Sequence, residues 1–256
     1  MRHSMELFLE VTAGLPRQGP GSTAATLQAL SMVAGLPRPP RILDVGCGPG
    51  AQTIDLARAT GGSIVAMDLH QPFLHELAAR AKEAGVTSHI SPIRMSMFAM
   101  SFASQSFDLI WSEGAIYIRG FEAGLDDWRR FLKPGGWLVV SELSWLVAEA
   151  PEQARSFWAA NYPAMRSREA NGKLIQALGY VDLQTFVLPA QDWWDNYYGP
   201  GERRLQQARA RYEGDPEACA MLDEIGREYD VFRACSDSYG YVFYVMRNPA
   251  AACAIS

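Results

Sequence analysis

Residues 41–53, RILDVGCGPGAQT, decide the fold, because a short apolar run ends there at three alternating glycines. The apolar run predicts a buried strand, and Gly46, Gly48 and Gly50 predict the tight turn after it. The residues that follow predict a helix over 51–60. Glycine has no Cβ, so such a turn can adopt positive φ and let a bulky ligand lie against the backbone. This order is typical of the opening unit of a nucleotide-binding α/β sheet.

The glycine spacing argues against a nicotinamide-dependent oxidoreductase. The dinucleotide fingerprint is G-x-G-x-x-G. This chain has G-x-G-x-G instead, and Ala51 and Gln52 stand where a later glycine would be expected. The turn therefore predicts a nucleotide-like ligand other than NAD.

Strand-like and helix-like segments alternate along most of the chain. The pattern predicts strands at 42–46, 63–68, 90–95, 107–111, 136–142, 182–188 and 239–246, and helices at 51–60, 72–85, 121–132 and 173–178. Such alternation predicts a parallel sheet with helices on both faces.

Four motifs in order resemble those of class I S-adenosylmethionine (SAM)-dependent methyltransferases. They are LDVGCGPG at 43–50, the strand-ending Asp68, FDLIW at 107–111 and LKPGGWLVV at 132–140. LPRQGPGS, WSEGAIY and VSELSW further resemble a group of small bacterial methyltransferases. The resemblance implies a Rossmann-like α/β fold with a seven-stranded, mostly parallel sheet, an antiparallel last strand and helices on both faces.

The resemblance also implies which residues bind the cofactor. The glycine turn and the helix start after it would hold the carboxylate of the methionine moiety, since that helix end is electropositive. Asp44 would receive the ammonium, and Asp68 would accept hydrogen bonds from both ribose hydroxyls. The expected cofactor-binding set is Asp44, Gly46, Cys47, Gly48, Gly50, Asp68, Leu69, Ser96, Met97 and Ser112.

WSEGAIY follows the fourth predicted strand, where this family presents residues to the methyl group and the acceptor. Glu113 is the candidate to accept a proton from the nucleophile or to stabilise a cation that develops on it. Tyr117 is a second catalytic candidate. The alternative is that Glu113 caps the following helix and that Tyr117 only packs.

The chain is expected to be one methyltransferase domain over 1–256. It comprises an N-terminal helical arm at 1–40, a SAM-binding core at 41–188, a helical cap insertion at 189–238 and a final strand at 239–248. Aromatic residues expected to line an acceptor pocket are Trp145, Trp193, Trp194, Tyr197 and Tyr241. The alternative is that these rings form the core between cap and sheet.

Composition restricts the partners. The net charge of −5 disfavours DNA as a partner and makes RNA an unfavoured one, because phosphates require a basic face. The sequence contains no run of eighteen apolar residues and no signal-peptide pattern. We therefore expect a cytoplasmic protein without a membrane partner. Cys47, Cys219, Cys235 and Cys253 have no metal-type spacing, so no metal is expected. A homodimer is compatible with the sequence.

The expected reaction is in-line transfer of the methyl group of SAM to a small-molecule acceptor, with S-adenosylhomocysteine (SAH) as product. An RNA methyltransferase and a non-catalytic SAM-binding protein stay open as alternatives. The acceptor atom, N, O, S or C, is not determined by the residues.

Overall fold

A computed structural model describes residue 7, residues 10–12 and residues 14–250. The predicted N-terminal helical arm at 1–40 lies partly outside the described residues; within it, Leu7, residues 10–12 and residues 23–31 are helical. The chain forms two compact units. The core unit comprises Ser22–Leu143, Arg168–Leu188 and the described residues from Tyr241 to 250. The helical unit comprises the described residues up to Gly21, Ser144–Ser167 and Pro189–Gly240.

A mostly parallel sheet organises the core unit. Its strands are β1 (Arg41–Val45), β2 (Ser63–Asp68), β3 (Ile90–Arg94), β4 (Phe107–Ser112), β5 (Leu132–Trp145), β7 (Val181–Val187) and β8 (Tyr239–Arg247). Their order is β3-β2-β1-β4-β5-β8-β7, and β8 is antiparallel to β7. The two-residue strand β6 (Arg166–Ser167) pairs with the end of β5. The seven-stranded path with an antiparallel last strand confirms the predicted fold class.

The helices fall mainly between the strands. In the core unit they are α1 (Thr23–Ser31), α2 (Ala51–Thr60), α3 (Gln71–Glu83), α4 (Ile116–Arg119), α5 (Phe121–Arg129) and α7 (Arg168–Ala177). In the helical unit they are α6 (Glu152–Asn161), α8 (Ala190–Trp193), α9 (Gly199–Arg211) and α10 (Pro216–Cys235), with a π-helical turn at Trp194–Tyr198.

Strand β1 lies inside the sheet because its side chains are apolar on both faces. Ile42, Leu43 and Val45 are fully buried, as expected for a parallel strand covered by helices on both sides. Its neighbours β2 and β4 run parallel to it. The carboxyl ends of β1, β2 and β4 therefore meet at one edge, where open α/β sheets bind ligands.

The fifth strand is longer than predicted. The expected range was 136–142, whereas β5 begins at Leu132 and ends at Trp145. Leu132 pairs with Phe107, and the register then shifts so that Leu109 pairs with Trp137. A β-bulge thus lets the glycine-containing LKPGG segment continue the strand, which local turn signals do not reveal. Helix α6 was not predicted.

Aromatic side chains form the core of the helical unit. The ring of Trp193 stacks on that of Phe232 with 4.2 Å between centroids, and the rings of Tyr198 and Tyr229 lie 4.5 Å apart. The hydroxyl of Tyr198 donates a 2.7 Å hydrogen bond to Glu228. Burial raises the pKa of the Glu228 carboxyl. Helix α10 thus contributes Tyr229 and Phe232 to this aromatic core, and they pack against Tyr198 and Trp193.

Within the described part of the chain, every helix is too short or too polar to cross a bilayer.

Candidate active site

The glycine turn after β1 is tied to the neighbouring strand. The backbone N–H groups of Gly46 and Cys47 both donate to the carbonyl of Met67, at 2.9 and 3.0 Å. Gly46, Gly48 and Gly50 have φ values of 72°, 53° and 87°. Side chains with a Cβ rarely adopt this left-handed region. The turn is therefore a fixed backbone feature at the ligand edge of the sheet.

Two of these glycines are also required by packing. A Cβ on Gly46 would lie 2.5 Å from the Cβ of Ala115, and one on Gly50 would lie 2.0 Å from Cδ1 of Leu77. Both distances are far below van der Waals contact. The turn is thus pressed against the segment after β4 on one side and against α3 on the other.

Helix α2 begins directly after the turn with an uncapped N-terminus. Its N-cap is Gly50, which makes no side-chain capping hydrogen bond, and its first turn has no acidic residue. The backbone N–H groups at a helix start attract anions. A carboxylate, such as that of the methionine moiety of SAM, fits this position.

Asp68, at the end of β2, is bound to the turn from the other side. Its Oδ2 accepts from the backbone N–H of Gly48 at 2.9 Å, and its Oδ1 accepts from that of His70 at 2.8 Å. An ionised carboxylate offers about four acceptor sites. Asp68 is partly exposed, so it retains acceptor capacity for a vicinal diol. It both orders the turn and fits the predicted ribose contact.

Asp44 lies beneath the turn, out of solvent. The hydroxyl of Thr53 donates to its Oδ2 at 2.6 Å, and Gln52 contributes a longer contact of 3.5 Å. The pKa of Asp44 is raised to about 7, mainly by burial; the hydrogen bonds from Thr53 and Gln52 lower it, and the negative charges of Glu113 and Asp68 add to the rise that burial causes. Contact of Asp44 with a cofactor ammonium stays a prediction.

Cys47 is buried in the turn and does not present a reactive thiol. Its side chain makes only a weak 3.5 Å contact with the carbonyl of Gly48, and burial raises its pKa. Its carbonyl accepts from the side-chain amide of Gln52 at 3.1 Å. Its contribution to the turn is therefore a small buried side chain and a backbone hydrogen bond.

The predicted adenine-side residues follow β2 and β3. Leu69 is 61% exposed, so a ligand can reach its apolar side chain. The hydroxyl of Ser96 accepts from the backbone N–H of Phe98 at 3.3 Å, so it stabilises the local turn. The methyl of Met97 lies 3.8 Å from the position of a Cβ on Gly46, which places it beside the glycine turn.

Ser112 is the last residue of strand β4, and Glu113 follows it directly. Ser112 is fully buried, and its hydroxyl donates to the carbonyl of Val45 at 3.0 Å, which links β4 to β1. Oε1 of Glu113 accepts from Nε1 of Trp111 at 2.9 Å and from the hydroxyl of Thr26 at 2.7 Å. The carboxylate is therefore fixed by two donors at the carboxyl edge of the sheet.

The residues after Glu113 are also held in place. The backbone N–H of Gly114 donates to the hydroxyl of Ser141, on β5, at 2.8 Å. The hydroxyl of Tyr241 lies 3.7 Å from the position of a Cβ on Gly114. Tyr117 is 45% exposed at the surface of α4. Of the predicted pocket residues, Tyr241 alone belongs to the core unit and lies beside the WSEGAIY segment.

The other predicted pocket residues belong to the helical unit. Trp193 and Tyr197 are buried in its aromatic core. The guanidinium of Arg233 lies 4.7 Å from the ring centroid of Trp194. Trp145 contacts the ring of Tyr239 edge to face, with centroids 6.1 Å apart. The structure thus brings Trp193, Trp194 and Tyr197 into one cluster.

Sequence reasoning did not single out Thr26, Thr53 or Ser141. Each is a small hydroxyl residue on a buried face, and each hydrogen bonds a residue of the site. The available signal was a polar residue within an otherwise apolar helix or strand face. Among the described residues, no group of three or more His, Cys, Asp or Glu side chains is placed to hold a metal ion.

Comparisons with known proteins agree with this geometry. Residues 42–136 match the family described as "Methyltransferase domain". The chain is 31% identical over 192 residues to a malonyl-[acyl-carrier protein] O-methyltransferase of Enterobacter lignolyticus, covering 70% of this chain and 72% of that protein. It is 26% identical to 24-methylenesterol C-methyltransferase 2 of Oryza sativa, covering 67% of this chain and 48% of that protein.

Solved structures show the same fold. A SAM-dependent methyltransferase from Thiobacillus denitrificans, solved in complex with SAH, superposes with a TM-score of 0.79 at 20% identity over 94% of this chain and 97% of that one. The sequence match, the sheet order and the glycine turn with its strand-ending aspartate all agree. The chain therefore belongs to the class I SAM-dependent methyltransferase family.

Proposed function

We propose that this protein transfers the methyl group of SAM to a small-molecule acceptor and releases SAH. The observation that carries the proposal is the placement of a fixed carboxylate, Glu113, at the same sheet edge as the glycine turn. A protein that only binds SAM needs the turn and Asp68. The two donors on Glu113 are an additional feature that a transfer reaction can use.

The proposal assigns partners for the cofactor among the chain's own residues. The uncapped start of α2 would hold the carboxylate of the methionine moiety, and Asp68 would hold the ribose hydroxyls. Leu69 and Met97 offer apolar surface for the adenine ring. Ser112 and Ser96 would shape the site through the backbone contacts already described.

SAM, when bound, supplies a methyl group on a positively charged sulfur whose departure leaves a neutral thioether. The protein then has to align the acceptor with that methyl group and exclude water. Glu113 is able to take a proton from an acidic acceptor group or to stabilise positive charge that develops on a neutral one. Tyr117, exposed on α4, remains a candidate acceptor-side contact.

The coarse acceptor class follows from charge and from the relatives. A net charge of −5 does not suit a polyanionic acceptor, which favours a small molecule over RNA. The relatives named above include one O-methyltransferase and one C-methyltransferase. Because the acceptor atoms of these two relatives differ, we do not assign either atom as the acceptor of this protein. A cytoplasmic location is proposed with the function.

We also infer that the acceptor-binding aromatic residues predicted from the sequence include those of the helical unit. The support is compositional, because this unit departs from the alternating strand–helix pattern. It carries Trp145, Trp193, Trp194 and Tyr197.

The first experiment is calorimetric titration of the purified protein with SAM, SAH and NAD in parallel. We expect both adenosyl-sulfur ligands to bind and NAD not to bind. Binding of NAD alone would overturn the cofactor assignment. Release of SAH is then measured with panels of small amines, phenols, thiols and carboxylic acids.

Glu113→Gln separates transfer from cofactor binding. We expect turnover to fall by about tenfold or more, with the SAM dissociation constant changed less than threefold, since the amide keeps an acceptor for Thr26 and Trp111 but cannot take a proton. Equal turnover in the two proteins would reduce Glu113 to a structural role. SAM binding without SAH release for every acceptor and for RNA would favour the non-catalytic alternative.

A further inference from the structure

The helical unit contains a cavity that the cofactor site does not explain. It has a volume of about 490 Å³ and is lined by residues between Trp145 and Ser167. This size lies within the range of about 300–1,000 Å³ that small-molecule pockets occupy. The segment leaves the end of β5, forms α6 and returns as β6 beside the end of β5. One excursion of the chain thus builds the whole cavity.

Two tryptophans form a braced wall of this cavity. The rings of Trp145 and Trp158 both contact Tyr239 edge to face, at centroid distances of 6.1 and 5.3 Å. Trp158 also contacts Phe157 at 4.9 Å, and Trp158, Phe157 and Tyr239 are all buried. Because Trp158 packs against both Phe157 and Tyr239, its ring has little freedom to move into the cavity. The cavity is therefore a preformed feature of the unit.

The other lining residues include small side chains that leave the cavity open. Ala148 and Ala159 present only methyl groups, and Tyr162 and Met165 supply further apolar surface. The hydroxyls of Tyr162 and Ser167 add polar surface to this lining. A molecule with an apolar body and one polar end matches such a surface.

One charged group stands at the wall. Among the described residues that line the cavity, Arg155 alone carries a charged side chain. It pairs with Glu152 one helical turn earlier, and the side chains of both residues are more than half exposed. Exposed pairs of this kind contribute little stability, so a ligand carboxylate can replace or share the pair at small cost. The single positive charge favours an anion over a cation.

We propose that this cavity binds a small amphipathic monoanion, an apolar body of aromatic or short-chain type that carries one carboxylate. The apolar body lies against Trp145 and Trp158, and the carboxylate meets the guanidinium of Arg155. The planar guanidinium can donate two parallel hydrogen bonds to a carboxylate. This proposal concerns ligand binding in the helical unit and does not depend on methyl transfer.

The probes are 2-naphthoate, its neutral analogue 2-naphthamide and the cation 2-naphthylmethylamine, titrated calorimetrically into the full chain without cofactor. Decanoate serves as the slender carboxylate. We expect 2-naphthoate or decanoate to bind, and the carboxylate to bind more tightly than the amide and the amine. No binding of either carboxylate, or tighter binding of the amine, would overturn the proposal.

Arg155→Gln tests the charge contact, and Arg227→Gln is its matched control. Arg227 forms an exposed i, i+3 pair with Glu224, as Arg155 does with Glu152, but it is on α10 and is not one of the residues that line the cavity. We expect Arg155→Gln to weaken carboxylate binding about three- to tenfold and to leave the amide unchanged. The Arg227→Gln protein should bind like wild type. Equal losses in both variants would contradict a specific contact.

Ala159→Trp tests the location, with Ala160→Trp as control. Both alanines are exposed on α6, but only Ala159 lines the cavity. An indole at 159 fills the space and should weaken carboxylate binding by about tenfold or more, whereas one at 160 should not. Unchanged binding in the Ala159→Trp protein, with native circular dichroism, would place the ligand elsewhere and overturn the proposal. SAM affinity, measured on the same variants, is expected to be unchanged.

Discussion

The hydroxyl of Thr26, on α1, donates a 2.7 Å hydrogen bond to the carboxylate of Glu113, at the end of β4. These residues are far apart in sequence, and Thr26 is fully buried. The same hydroxyl lies 3.1 Å from the carbonyl of Ser22, but a hydroxyl has one hydrogen and the shorter contact is to Glu113. The segment before the first strand therefore takes part in positioning the candidate catalytic carboxylate.

Replacing Thr26 with Val removes this donor and keeps the shape of the side chain. We expect kcat to fall about threefold to tenfold, because Glu113 loses its donor on α1 and its orientation is then less fixed, although the bond from Trp111 stays. The SAM dissociation constant should change little. Thr26→Ser retains the hydroxyl and should restore most of the turnover. If Thr26→Val and Thr26→Ser had equal kcat, the hydrogen bond would have no part in positioning Glu113.

Replacing Asp68 with Ala should weaken SAM binding by about 10- to 100-fold, because it removes charge-assisted acceptors for the ribose and also the anchor of the Gly48 N–H. Calorimetric titration with SAM and SAH measures the effect. Glu83→Ala, at the exposed end of α3, is the charge-matched control and should bind normally. Unchanged affinity in the Asp68→Ala protein would exclude the ribose assignment.

Alanine substitutions at two glycines distinguish the effect of backbone strain on stability from that of steric overlap. Gly50→Ala places a Cβ 2.0 Å from Leu77 at a φ of 87°, whereas Gly61→Ala meets no atom within 4 Å at a φ of 60°. We expect Gly61→Ala to cost about 1 kcal/mol of the free energy of unfolding, from the left-handed conformation alone. Gly50→Ala should cost about 2–4 kcal/mol, because overpacking adds to the strain. Urea unfolding measures the free energy of unfolding of both variants. Equal losses would mean that Leu77 and α3 move aside without an energetic penalty.

Asp44 makes stability depend on pH in the direction opposite to a salt-bridged carboxyl. Burial raises its pKa from 3.8 to about 7 in the folded protein. Between these values the folded state keeps a proton that the unfolded state has lost, so stability is lost as the pH rises through this window. Below it both states are protonated, and above it both are ionised.

The Asp44→Asn variant tests this linkage, since asparagine cannot ionise but can still accept from Thr53. Urea unfolding of both proteins across the window should show that stability falls less steeply with pH in the variant, by up to about one proton. Parallel curves for the two proteins would contradict a raised pKa at Asp44.

The succession of strands and helices along the chain was predictable because the deciding signals are local. Residues 41–53 carry strand, turn and helix within a few residues of each other, and the observed α2 (Ala51–Thr60) and β2 (Ser63–Asp68) have the predicted bounds. Apolar runs, glycine turns and a strand-ending aspartate need no distant partner to be recognised. The full length of β5 was not predicted, because its bulge depends on pairing with β4, which exists only in the assembled sheet.

The sequence by itself determined the fold class, the family resemblance and the turn residues, because backbone preference and hydrophobic periodicity are properties of neighbouring residues. Only the tertiary structure decided that Thr26 and Trp111 hold Glu113, that Asp68 anchors the N–H of Gly48 and that Asp44 is buried with a raised pKa. It also decided which tryptophans enter the aromatic core and which line a cavity. These features arise from contacts between residues distant in the chain, and a local pattern carries no information about the distance, burial or charge that such contacts create.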